Sequence, residues 1–300
     1  MKSFRSVLPS LSLIFASAAF AQLPYPSTPG SLLGARALGR AGATAGSQLT
    51  HDALFQNPAS AAFEKRYALH ASYLGYGNGL TASVVDTKTS PVGGGLYYMR
   101  RDIKGDATKN PSLGNYNRLE ERAGSAVMGR LAENFAVGLT AKYTYLRPYD
   151  NRVKNGVNWN VDAGLRYLFS PQFAVGVVGQ NFLTDEKGAN PRLFSFGIEY
   201  QPTPSFVISA QAMKTSELDD KTGMSFPKKA STLGWSAGAE YRYSGFAART
   251  GYVDHGPWNH KLLSFGLGYE DAAFALDYAF QMVTSGRALQ IHTVGLSAFL

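Results

Sequence analysis

The chain contains no cysteine, so no disulfide frame, zinc knuckle or thiol nucleophile is available to it. After residue 21 it offers no uninterrupted apolar run near the roughly 18 residues that a membrane helix needs. Any insertion into a bilayer must therefore use strands. Charge is neither dense nor clustered. Lys and Arg number 29 against 21 Asp and Glu, a net of +8, with no basic run and no recognition helix, which argues against a nucleic-acid partner. The positive excess suits anionic lipid headgroups or lipopolysaccharide. The glycine-rich start lacks the Gly-Lys-Ser/Thr ending of a phosphate loop, so nucleotide binding is unsupported.

What the chain does have is 32 Gly, 17 Tyr and 18 Phe, a composition for sheets with tight turns and aromatic surfaces. Residues 1–21 read as a signal peptide: Lys2 and Arg5 form a charged start, Val7 to Phe20 an apolar centre, and Ala19-Phe20-Ala21 a cleavage site. The mature chain is expected to begin at Gln22 and to be exported to the outer membrane of a Gram-negative cell.

From Phe135 to Phe169 the sequence alternates with period two. Phe135, Val137, Leu139, Ala141, Tyr143 and Tyr145 interleave with Ala136, Gly138, Thr140, Lys142 and Thr144; Trp159, Val161, Ala163, Leu165, Tyr167 and Phe169 then interleave with polar and small residues. Such strands have two chemically different faces, one without any charge. Fourteen segments follow this rule, near 66–75, 78–86, 92–101, 119–131, 134–147, 157–169, 172–182, 192–201, 204–214, 231–243, 245–254, 261–270, 273–282 and 289–300. Short connections follow the even-numbered segments. Longer ones, notably 102–118, 148–156, 183–191, 215–230 and 254–260, follow most odd-numbered ones. Even strand number and sorted loop lengths mark an outer-membrane barrel with periplasmic turns and external loops. A ten-residue strand at about 3.3 Å per residue, tilted near 45°, rises roughly 23 Å, the height of the apolar band of such barrels. The fold class is therefore all-β: a fourteen-stranded antiparallel transmembrane β-barrel over residues 64–300. The last segment alternates up to the C-terminus, so its edge must close on the first.

Residues 22–63 do not alternate. Two short helical turns are expected there, one capped by Thr50 and running through Phe55, the other capped by Asn57 with Pro58 at its first position. A barrel of fourteen strands is wide enough to need filling, and this small-residue segment is expected to fold into the lumen as a hatch. The alternative is a disordered periplasmic leader.

Gly34-Ala35-Arg36-Ala37-Leu38-Gly39 followed by Asn57-Pro58-Ala59 resembles the N-terminal signature of the long-chain fatty-acid transporter (FadL) superfamily and the related PorV/PorQ-type barrels. Gly176 to Phe182, Arg249 to Tyr252, Ser264 to Tyr269, Leu276 to Phe280 and His292 are similar to segments of the same superfamily. The resemblance spans residues 34–300. It implies a fourteen-stranded barrel with an N-terminal hatch, and either uptake of hydrophobic molecules or a partner role in protein secretion. Asn57, Pro58 and Ala59 carry over as hatch residues. The chain ends in Leu300, where an aromatic residue is usual for recognition by the outer-membrane assembly machinery, itself an expected partner.

Charges within the strands fall on the parity opposite the aromatic face: Lys142, Asp162, Arg166, Glu199, Glu240, Arg242, Arg249 and Asp277. Together with His292, assigned to the inward parity of the last strand, they are expected to form a luminal polar network, since buried charges need partners. The histidines are His51, His70, His255, His260 and His292; His255 and His260 share a loop with Asp254 and Trp258. That loop reads either as a metal or catalytic site or as a polar external loop anchored by an aromatic. No metal-ligand spacing and no placed serine nucleophile accompany it. The sequence thus points to a barrel without enzymatic activity, cofactor or metal, passing small hydrophobic molecules. The alternative is a non-transporting barrel that anchors or receives partner proteins.

Overall fold

The computed structural model describes residues 33–75, 78–105, 116–147, 156–183, 192–215, 233–256, 260–284 and 290–300. The expected signal peptide and most of the longer connections lie outside these residues. Fourteen antiparallel strands close into one barrel. The first seven are β1 (Tyr67–Leu74), β2 (Gly79–Asp86), β3 (Val92–Gly105), β4 (Tyr116–Ala132), β5 (Phe135–Arg147), β6 (Gly156–Ser170) and β7 (Phe173–Gln180). The others are β8 (Leu193–Thr203), β9 (Phe206–Thr215), β10 (Leu233–Tyr243), β11 (Phe246–His255), β12 (His260–Glu270), β13 (Phe274–Val283) and β14 (Gln290–Phe299). Each strand pairs with its chain neighbours, and β1 closes on β14 with Ala68 opposite Phe299 and Leu74 opposite Thr293. Closure leaves no unpaired edge.

The alternation sorts as its chemistry demands. Leu139, Trp159, Leu165, Phe169, Trp235, Phe265 and Leu276 face outward and are exposed, while Thr140, Lys142, Asp162, Arg166, Glu240, Arg249 and Asp277 face inward and are buried. Aromatic side chains pair across neighbouring outward positions, Tyr143 with Trp159 and Trp235 with Tyr252 among them. Among the described residues no helix is long and apolar enough to cross a membrane, which leaves the strands as the only described spanning elements.

Residues 33–63 lie inside the barrel. Helix α1 (Ala35–Gly39) packs against β11 to β14, and a six-residue 3₁₀ turn, Pro58–Phe63, packs against β4, β5 and β6. Between them sits a further 3₁₀ turn, Asp52–Leu54. The sequence led us to expect two turns, and α1 is the addition. Its Ala, Arg and Leu are good helix formers between flanking glycines. Thr50 does not cap the Asp52 turn, whose preceding residue is His51; the Thr50 hydroxyl donates to the Glu64 carboxylate, a stronger acceptor. Asn57 does cap its turn, accepting from the Ala59 N–H at 3.2 Å.

Candidate functional site

The inner segment meets the wall through bare backbone. Gly138 and Gly164 are cross-strand partners, as are Gly176 and Gly197, and Gly238 and Gly251. Their inward sides are filled by the segment. A Cβ on Gly138 would lie 2.6 Å from the Ala59 nitrogen, one on Gly251 2.7 Å from the Arg40 carbonyl carbon, and one on Gly176 would overlap the Ala45 oxygen. Only a side chain of one hydrogen lets two backbones approach this closely.

Hydrogen bonds then fix the register. The Gln211 side-chain oxygen of β9 accepts from the Thr44 and Ala45 N–H groups at 3.2 and 2.9 Å and from Gln56 Nε2 at 2.8 Å. Asn57 Nδ2 donates to the Ala45 carbonyl at 2.7 Å and to the Leu165 carbonyl of β6 at 3.1 Å. Arg166 Nε donates to the Gly46 carbonyl at 2.9 Å, and Gln180 Nε2 to the Phe55 carbonyl at 2.8 Å. The segment also closes on itself, since Gly34 N–H donates to Asp52 Oδ1 at 2.6 Å.

Charges complete the seam. Arg36 reaches Glu270 at 3.0 Å and Glu240 at 3.9 Å; Arg40 reaches Glu199 at 3.1 Å. Glu240 also faces Arg242 and Arg249, Arg249 faces Asp277 at 2.6 Å, and Glu199 faces Arg166 at 3.6 Å. Burial works against charge on Arg36, and the carboxylates of Glu240 and Glu270 more than offset it, so its pKa is raised. On the opposite side, Lys142 pairs with Asp162 at 2.7 Å, and Glu120 with Arg122 at 2.7 Å. The eight strand charges thus fall into three groups: Glu240, Arg242, Arg249 and Asp277 with Arg36, Glu199 and Arg166 with Arg40, and Lys142 with Asp162 apart from the segment's arginines.

His292 is the exception. It shares its parity with Val294 and Leu296, which face outward, and it accepts or donates a 2.7 Å hydrogen bond at the Tyr278 hydroxyl beside Phe280. An outward imidazole near a strand end bonds its aromatic neighbours, so His292 leaves the luminal set. Asp254 and His255 do not converge either. Asp254 sits on the outward parity and pairs with Lys261 at 3.5 Å, whereas His255 points inward. Trp258 and the side chain of His260 lie outside the described residues.

At the end of the barrel where the longer connections leave, the inward positions of β8 to β14 turn largely apolar, while those of β3 to β6 keep Arg101, Glu120, Arg122, Asn158 and Asn160. Leu193, Met213, Val253, Leu262, Val283 and Ile291 are all buried there. Against them the inner segment places Leu33, Ala41 and Phe55. A small pocket of about 20 Å³ is lined by Leu33, Ala41, Phe55, Leu193 and Met213, with Gln56, Gln180, Ser195, Gln211 and His255 as its polar points. Gln180 and Gln211 were not among the expected site residues; what they hold comes from distant parts of the chain. Arg36 and Arg40, four residues apart and thus near one face of α1 and its C-cap, carry a readable signal of ion pairing.

Residues 103–225 match the family model described as the putative MetA-pathway of phenol degradation. No curated protein matches the chain. Among solved structures, the Pseudomonas putida toluene transporter TodX superposes with a TM-score of 0.62 at 13% identity, covering 90% of this chain and 97% of its own. A TodX monoaromatic hydrocarbon channel deltaS2 mutant gives 0.63 at 12%, covering 89% and 97%. A Pseudomonas aeruginosa FadL homologue gives 0.57 at 14%, covering 94% and 99%. At these identities the likeness establishes the fold: this chain is a closed fourteen-stranded barrel that resembles the FadL-type channels over nearly its whole length.

Proposed function

We propose that the chain resides in the outer membrane of a Gram-negative cell and passes small, uncharged hydrophobic molecules, aromatic ones foremost, through its barrel, without enzymatic activity. The observation that carries this reading is the pocket at the loop end, where apolar wall residues and the inner segment share one lining. An apolar band around the exterior is what hydrocarbon contact requires, since an Arg or Lys at mid-bilayer costs about 2–4 kcal/mol. Lipid and lipopolysaccharide are then its surroundings, and the assembly machinery its route of insertion.

A molecule entering from the loop end passes the apolar lining of Leu193, Met213 and Phe55. The charges beneath are matched to one another, so they offer an ionised solute little net attraction. The inner segment fills the path, and passage requires it to move as a hatch, hinged near Asn57-Pro58. The neighbours' titles, a toluene transporter and a monoaromatic hydrocarbon channel, and the phenol-degradation family model support the solute class.

The test is accumulation of radiolabelled toluene by Gram-negative cells with an intact lipopolysaccharide layer. Expression of the chain is expected to raise the initial rate, and Leu193→Asp with Met213→Asp to abolish the gain. An unchanged rate with correctly inserted protein would refute the reading.

A further inference from the structure

Where the barrel closes, the inner segment touches β1 and β14 through two imidazoles. His51 and His70 stack with ring centroids 3.4 Å apart and planes 10° from parallel. Both are buried, as is Asp52, whose Oδ2 lies 3.4 Å from His51 Nε2. His70 Nδ1 is 2.9 Å from the Ser297 hydroxyl of β14. His51 Nε2, His70 Nε2 and Asp52 Oδ2 are all buried without a hydrogen-bond partner. Gly34 encloses the stack on one side, where a Cβ would come 2.6 Å from His51 Nε2. Elsewhere the segment is held by hydrogen bonds and ion pairs; here it meets the wall through two imidazoles stacked out of water.

We infer that the His51–His70 stack is an acid-sensitive latch that keeps the inner segment seated at the β1–β14 closure. Two imidazolium rings face to face at 3.4 Å, out of water, repel each other, so the seated state excludes protons that the unseated state accepts. The surrounding charges set the sign. Burial first and Arg36 of α1 second disfavour a proton on His51, and together they outweigh Glu270 of β12, which favours one, lowering His51 to about 3. Asp52 works the other way: burial raises its carboxyl, against the Gly34 N–H and the charges of Arg36 and Arg40.

An imidazole held below its ordinary value of about 6.5 stabilises the seated state fully above that value and loses about tenfold per pH unit below it. Asp52 opposes the imidazoles, so acidification below about 6.5 shifts the balance toward the unseated state with a slope that the carboxyl reduces. The latch depends on where the segment sits, and not on which solute passes.

The experiment is the conducting fraction of the full chain in planar bilayers from pH 7 to 4, with folding checked by the heat-modifiable mobility of each variant. Wild type is expected to open more as pH falls. His51→Phe with His70→Phe keeps two stacked rings but cannot titrate, and its response should be flat. Asp52→Asn keeps an acceptor for Gly34 and removes the opposing carboxyl, so its response should be steeper than that of wild type. A flat wild type, or a double variant that follows wild type, overturns the latch. Toluene uptake at neutral pH is unaffected by either result.

Discussion

Asn57 ties three things together, and Asn57→Ala cuts them at once. Its Oδ1 caps the Pro58–Phe63 turn, and its Nδ2 bridges the Ala45 carbonyl of the segment to the Leu165 carbonyl of the wall. Losing the cap costs about 1 kcal/mol. Leaving the buried Ala45 carbonyl unpaired costs a further ~1–3 kcal/mol. Together these move the seated-to-unseated ratio by roughly 30- to 1,000-fold, at tenfold per 1.4 kcal/mol. Strand pairing is untouched, so the barrel itself should fold. Because the chain has no cysteine, a single Ser60→Cys reports directly; Ser60 is buried and its hydroxyl has no partner, so the exchange is mild. Maleimide labelling of that thiol follows the population of the unseated state when opening is fast. Gly164→Ala should raise labelling similarly, because its Cβ would overlap Asn57 Oδ1. The two changes together should then be less than additive, since they act on one side chain. A labelling rate within about threefold of the parent for Asn57→Ala, with the barrel folded, would refute the reasoning.

Other changes probe other contacts. Glu240→Gln strips the carboxylate facing Arg36, Arg242 and Arg249, and is expected to cost about 3–5 kcal/mol in the urea unfolding midpoint in vesicles. Gly176→Val, whose Cβ would overlap the Ala45 carbonyl, should displace the inner segment and raise single-channel conductance while heat-modifiable mobility is kept. Leu139→Arg, on the exposed outward face, should destabilise the barrel in lipid by about 2–4 kcal/mol, measured by the same urea titration. Brominated lipid should quench Trp159 and Trp235, both outward and exposed, in a protein carrying Trp258→Phe.

Much of the barrel was legible because period two and hydrophobicity coincide. In β5 and β6 the outward residues are apolar except Arg147 at the end of β5, and Lys142, Asp162 and Arg166 are inward, so strand position and facing follow together. His292 shows the limit: Val294 and Leu296 carry the outward face, and two residues earlier the same parity holds an imidazole that looks inward by chemistry. Its Tyr278 partner comes from β13, which alternation within one strand cannot reveal. The Asn57-Pro58 cap was readable because capping is local. The glycine seam was not, since Gly138, Gly176 and Gly251 gain their meaning only from Ala59, Ala45 and Arg40, far away in the chain. The same holds for Gln211 and for the His51–His70 stack, where neither half shows its partner.

The direct test of the hatch is to lock it reversibly. A Cβ on Gly197 would lie 2.9 Å from the Ala45 Cβ, so Ala45→Cys with Gly197→Cys needs only a small outward shift to reach disulfide spacing. Toluene accumulation by cells carrying this variant is expected to fall to the level of cells without the chain when oxidised, and to return on reduction. Equal uptake in the oxidised and reduced states would contradict the account, because solute would then cross without the inner segment moving.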